Sequence, residues 1–142
     1  MSKTEIVSII NQKGGVGKTT TAINLAAGLA LKNKKILIID LDPQGNATTG
    51  LGLSNTENSD ETIYGVLNGT NNIIKVIKGT QFANLDLVSS NVDLSGLEVE
   101  TAGDNKRAFI LKDQIMAYLN DSRGKYEYIF IDCPPSLSLL TV

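Results

Sequence analysis

Lys13-Gly14-Gly15-Val16-Gly17-Lys18-Thr19-Thr20 follows an apolar run, Ile6-Val7-Ser8-Ile9-Ile10, after only Asn11-Gln12. Behind it, residues 18–31 are rich in alanine, lack proline and carry Ile23, Ala26, Ala27 and Ala30 on one side, with Leu25 and Leu29 beside them. Strand, glycine-rich loop and helix in that order form a phosphate cradle, the P-loop. Gly14, Gly15 and Gly17 let the backbone curl with no side chain in the way, so that its N–H groups surround phosphate oxygens. The helix that follows turns its N-terminal dipole to the same charge. Lys18 adds a full positive charge for the β and γ phosphates, and Thr19 offers a hydroxyl to Mg²⁺. ATP with Mg²⁺ is the ligand these residues imply. The general P-loop pattern starts with a glycine where this chain has Gln12, and a second lysine, Lys13, stands inside the loop instead.

Two further runs, Ile36-Leu37-Ile38-Ile39 and Tyr128-Ile129-Phe130-Ile131, share the β-branched and aromatic character of the first. All are nearly continuous rather than alternating, which suits strands buried on both faces of a parallel sheet. Leu85-Asp86-Leu87-Val88 alternates more and is placed nearer an edge. A second strong helix is predicted over Arg107 to Leu119, with apolar Phe109, Ile110, Ile115, Met116 and Leu119; weaker ones are expected near Thr62–Leu67 and Leu94–Thr101. The polar stretch from Gly45 to Asp60 reads as a loop, and Asn68 to Asn72 as a turn. Strands alternating with helices give an α/β fold: a mostly parallel sheet flanked by helices, three layers in all, of the P-loop NTPase kind.

Open α/β sheets bind ligands outside the carboxyl ends of their strands. The first strand here runs into the glycine loop, the second ends at Asp40 with Asp42 just beyond, and the third ends at Asp132. Acidic residues before Pro43 suit a turn as well as a catalytic role, in which a carboxylate holds metal-bound waters or orients an attacking water. Asp132 either caps a helix or, as a buried carboxylate, needs a partner such as hydrated Mg²⁺.

Composition narrows the function further. The 142 residues include 13 basic and 15 acidic side chains, a net charge of −2, which offers no strong lure for nucleic acid or anionic membrane in this segment. Histidine is absent, removing the usual general base and zinc ligand. The single cysteine, Cys133, forms neither an internal disulfide nor a metal motif and reads as a small buried filler. The N-terminal run is too short and too polar in its flanks for a signal peptide, and no stretch approaches a bilayer span. These features predict a cytosolic protein. At the other end, Ser136 after Pro134-Pro135 suits a helix N-cap, and Leu137, Leu139 and Leu140 open an apolar run that stops at Val142. Residues 1–142 are therefore expected to be the N-terminal part of a single longer domain.

The loop Lys13–Thr20, the string Asp40-Leu41-Asp42-Pro43-Gln44-Gly45-Asn46-Ala47-Thr48 and the segment Tyr128 to Pro135 together resemble the three motifs of ParA/Soj partition ATPases, members of the deviant Walker-A group. The resemblance covers essentially the whole chain. It implies that Lys13 reaches the nucleotide of a facing subunit in an ATP-bound dimer, that Lys18 binds phosphate and Thr19 the metal, and that Thr20 contacts the α-phosphate region. It also implies that Asp42 positions the hydrolytic water and that Asp40 and Asp132 hold waters of the Mg²⁺ shell. The expected activity is weak ATP hydrolysis stimulated by a ParB-type partner. An ATP-dependent homodimer binding nonspecific DNA on the nucleoid, with DNA contacts mostly beyond residue 142 and no membrane contact, completes the picture. The missing helix-turn-helix ahead of the first strand fits the smaller, chromosomal form. A MinD-like membrane-cycling ATPase and a cobyrinate-amidating enzyme on the same scaffold are the rivals; a nitrogenase iron protein would need more cysteines.

Overall fold

In the computed structural model the chain is described over residues 4–10, 16–53, 58–96, 106–119 and 126–133, with backbone alone at 10, 16–21, 106–108 and 118–119. Among the described residues five strands form one sheet: β1 (Glu5–Ile10), β2 (Ile36–Asp40), β3 (Ile77–Gly79), β4 (Leu85–Val88) and β5 (Tyr128–Cys133), in the order β1-β5-β2-β4-β3. All pairings are parallel except the antiparallel β3–β4 edge. β5 lies between β1 and β2, with Glu5 and Ile36 both level with Tyr128.

The continuous apolar run of β2 is explained by two cores, one on each face. Ile36 and Ile38 join Ala26 and Ala30 of α1 (Val16–Leu31), Ala47 and Leu51, and Leu85, Leu87 and Phe130. Leu37 and Ile39 point the other way, toward Ile63, Val66 and Leu67 of α3 (Ile63–Leu67), Ile73 and Val76 of α4 (Ile73–Val76), and Leu111 of α5 (Lys106–Gln114). Adjacent residues on a strand face opposite sides, so a strand between two helical layers is apolar at every position. The three-layer, mostly parallel architecture is the expected one, and β4 lies one strand in from the β3 edge.

Four local readings are corrected. β1 is less buried than its composition predicts: Ile6 is 45% and Val7 37% exposed, because among the described residues only β5 pairs with it. The Gly45–Asp60 stretch contains a short helix, α2 (Asn46–Gly50), and a 3₁₀ turn, Ser59–Glu61. α4 and β3 escaped notice because each is under five residues long. Finally, the Arg107–Leu119 helix is α-helical only to Gln114 and continues as a π-helix over Ile115–Leu119. Its buried side chains are Leu111 and Ile115, while Phe109 and Met116 are exposed. Thr62 caps α3, its hydroxyl accepting from Tyr64 N at 3.2 Å, as the weak helix near Thr62–Leu67 anticipates. The helix expected from Leu94 is described only over residues 94–96, and the Ser136 helix lies outside the described residues.

Candidate functional site

The order β1-β5-β2 brings three strand ends side by side. Asp132 on β5 is level with Ile9 on β1 and with Asp40 on β2. The glycine-rich loop leaves β1 at this end, and Val16, Gly17, Lys18, Thr19 and Thr20 are the opening residues of α1. Lys13, Gly14 and Gly15 lie outside the described residues, as do the side chains of residues 16–20. The carboxyl ends of β5 and β2 and the turn that follows thus carry Asp132, Asp40 and Asp42, three carboxylates all buried in the fold.

Asp40 is fully buried and heavily engaged. Its Oδ2 accepts from Thr48 N at 2.8 Å and from Thr48 Oγ1 at 2.7 Å, and its Oδ1 accepts from Asp42 N at 3.0 Å. Burial pushes its pKa up to about 7, with the nearby Asp132 charge adding to the rise and the Thr48 and Asp42 donors opposing it. A carboxylate offers about four lone-pair directions, so the protein already uses most of those on Asp40.

Asp42 opens a tight turn. Gly45 N donates to Asp42 O at 2.8 Å, Pro43 supplies the fixed φ at the second position, and Gly45 takes the left-handed φ of 68° that carries the chain into α2. The Asp42 carboxylate accepts from Gln44 N at 3.0 Å through Oδ1 and from Asn46 Nδ2 at 2.9 Å through Oδ2. Both readings of the sequence at this position are therefore compatible: the aspartate makes the turn, and each of its oxygens keeps a lone-pair direction for a further donor such as water. The Cys133 thiol, raised to about 12 by burial and by Asp132, is not a nucleophile at neutral pH.

The structure adds residues that the sequence did not single out. Ser90, just past β4, donates its hydroxyl to Asp42 O, and Ser90 N donates to Thr48 Oγ1 at 2.9 Å. Thr48, Ser89 and Ser90 are fully buried and Asn91 nearly so. The available signal was the polar Ser89-Ser90-Asn91 directly after an apolar strand, the same pattern that marks Asp40 and Asp132. Among the described residues there is no group of three or more His, Cys, Asp and Glu side chains able to hold a metal ion by themselves, and no helix long and apolar enough to cross a membrane.

Comparison with known proteins gives this arrangement a context. The AAA domain family matches residues 4–142. The chain is 45% identical over 137 residues to the chromosome partitioning protein ParA of Caulobacter vibrioides, covering 96% of this chain and 50% of that one. It is 44% identical over 138 residues to the sporulation initiation inhibitor protein Soj of Bacillus subtilis, covering 97% and 53%. Among solved structures, cobyrinic acid a,c-diamide synthase from Mycobacterium smegmatis with bound ATP analog and magnesium superposes with a TM-score of 0.81 at 33% identity, over 97% of this chain and 54% of that one. The chain spans about half the length of the relatives it matches.

Proposed function

The chain belongs to the ParA/Soj family of P-loop ATPases, and from that premise we propose that it carries the phosphate and metal end of an ATP-hydrolysing switch for chromosome or plasmid partitioning. The observation that carries this reading is the register of β1, β5 and β2, which aligns the strand ending in Asp132 with the strand ending in Asp40, beside the start of α1. Lys18 and the first turn of α1 meet the triphosphate. Thr19 would offer its hydroxyl to Mg²⁺, and Asp40 and Asp132 would accept hydrogen bonds from waters of the metal shell. This donor set fits a hydrated Mg²⁺: Asp40 and Asp132 are buried carboxylates level with each other on neighbouring strands. When bound, Mg²⁺ neutralises charge on the phosphate oxygens.

The role left to Asp42 is to orient the attacking water. Its carboxylate sits just beyond the strand end, held by Gln44 N and Asn46 Nδ2 and with acceptor capacity remaining. Lys13 reaches across to the nucleotide of a second subunit, so that ATP closes a dimer. That dimer binds nonspecific DNA and is stimulated by a ParB-type partner. The higher identity to the partitioning relatives favours this reading over amidation chemistry on the same scaffold.

The deciding experiment measures binding of the protein to nonspecific DNA with ATP, with ADP and without nucleotide, at two salt concentrations. Binding that requires ATP and weakens with salt is the expected result, since phosphate contacts release counterions. ATP binding with no DNA binding under any condition would overturn the partitioning assignment.

A further inference from the structure

Four residues from separate parts of the chain close a ring of hydrogen bonds beneath the turn that presents Asp42. Asp40 at the end of β2 accepts from Thr48 Oγ1 at 2.7 Å. Thr48 Oγ1 in turn accepts from Ser90 N at 2.9 Å. Ser90 Oγ donates to Asp42 O, and Asp42 N donates back to Asp40 Oδ1 at 3.0 Å. The ring is wholly buried: Asp40, Thr48 and Ser90 are 0% exposed and Asp42 is 9% exposed. It joins β2, α2 and the residues after β4, and both backbone polar groups of Asp42 belong to it.

The geometry points to Thr48 and Ser90 as positioning residues for hydrolysis: together they fix the backbone of Asp42, and so the aim of its carboxylate at the attacking water. This inference rests on the role of Asp42 proposed above. Three features support it over plain satisfaction of buried polar groups. The Thr48 hydroxyl has one proton, which goes to Asp40, so its lone pairs are what receive Ser90 N; the ring has a fixed direction at that point. The Asp42 carbonyl accepts from both Gly45 N at 2.8 Å and the Ser90 hydroxyl, so both its lone pairs are used and its direction is fixed from inside and outside the turn. Finally, among the described residues the Asp42 side chain is held by neighbours in its own turn, Gln44 and Asn46, and the Ser90 hydroxyl ties that turn to the residues after β4. Small errors in the aim of a catalytic group cost rate without costing ground-state affinity.

The test uses Ser90→Ala, which deletes one hydroxyl while keeping the Ser90 N bond to Thr48, together with Thr48→Val, Thr48→Ser and Asp42→Ala. ATP affinity, kcat, KM and amide hydrogen exchange of residues 42–46 are measured for each. Ser90→Ala is expected to lower kcat by about tenfold or more with KM and ATP affinity within about twofold of wild type. Exchange in the turn should quicken while that of β2 and β5 does not. Thr48→Val should lose more, and Thr48→Ser should recover most of the loss. Wild-type kcat in Ser90→Ala, with Asp42→Ala inactive, overturns the inference alone. So does a parallel fall in kcat and ATP affinity, or unchanged exchange in the turn. A wild-type protein that does not hydrolyse ATP, or an Asp42→Ala variant as fast as wild type, overturns the underlying reading and this inference with it.

Discussion

The two aspartates that flank Leu41 differ in what the protein has already done with them. Asp40 accepts three hydrogen bonds and is fully buried; Asp42 accepts two on its side chain and is 9% exposed. Replacing Asp42 by alanine should therefore leave ATP bound and stop turnover, as read by equilibrium nucleotide binding alongside phosphate release; hydrolysis at the wild-type rate would assign the water to another group. Asp40 carries a pH signature instead. Its carboxyl titrates near 7 in the fold against 3.8 for an ordinary aspartate. Between those values the folded state holds a proton that the unfolded state has released, so this group's contribution to stability falls as pH rises through the window. Asp40→Asn removes that slope, although it also loses acceptor capacity at every pH. Urea unfolding without nucleotide or Mg²⁺, from about pH 4 to 7, should show the wild type losing on the order of 2–4 kcal/mol relative to the variant. A constant difference across the range would mean that Asp40 is charged throughout. Nothing in the spacing of Asp40 and Asp42 separates these two behaviours; the pH signature depends on how deeply the fold buries Asp40 beside Asp132, which only the tertiary structure records.

At the scale of elements, the readable features were those written in side-chain chemistry. The continuous run Ile36–Ile39 gave β2, the alternating Leu85-Asp86-Leu87-Val88 gave β4, and the alanine-rich stretch gave α1, nearly to the residue. α2 was not readable, because Asn46-Ala47-Thr48-Thr49-Gly50 has poor helix propensity. It is held by tertiary bonds from Thr48 to Asp40 rather than by its own sequence. In α5 the buried position is Leu111 rather than Phe109, and beyond Gln114 the switch to a π-helix alters the repeat, leaving Met116 exposed beside buried Ile115. α3 offers a test of close packing. A Cβ on Gly65 would stand 2.3 Å from the backbone oxygen of Asp60, where the 3₁₀ turn presses on the helix. Gly65→Ala should destabilise the protein by about 1–3 kcal/mol and lower the urea midpoint at unchanged slope. An unchanged midpoint would mean that the turn moves aside freely.

For the whole molecule, the motifs at three strand ends were enough to place one crevice, because a parallel sheet puts every strand's carboxyl end on the same side. The strand order was not derivable from them: Tyr128–Cys133 carries no mark saying that it belongs between β1 and β2. That position has a kinetic consequence. β1 and β2 are joined by a short helical crossover yet do not touch in the sheet; each waits for β5, whose pairing of Tyr128 with Glu5 spans almost the entire sequence. Pairings of such long range must be reached before the entropy of closing the loop is offset, so folding is expected to be slow and late. On the ribosome, β1 and β2 would remain without their shared neighbour until residue 133 has cleared the exit, leaving the backbone edges that β5 covers unpaired in the interval. Deleting Tyr128–Cys133 from the protein should therefore abolish its cooperative unfolding transition and leave it digested by protease as unfolded polypeptide; a variant that keeps a single sharp transition would mean that β1 and β2 hold together without their shared neighbour.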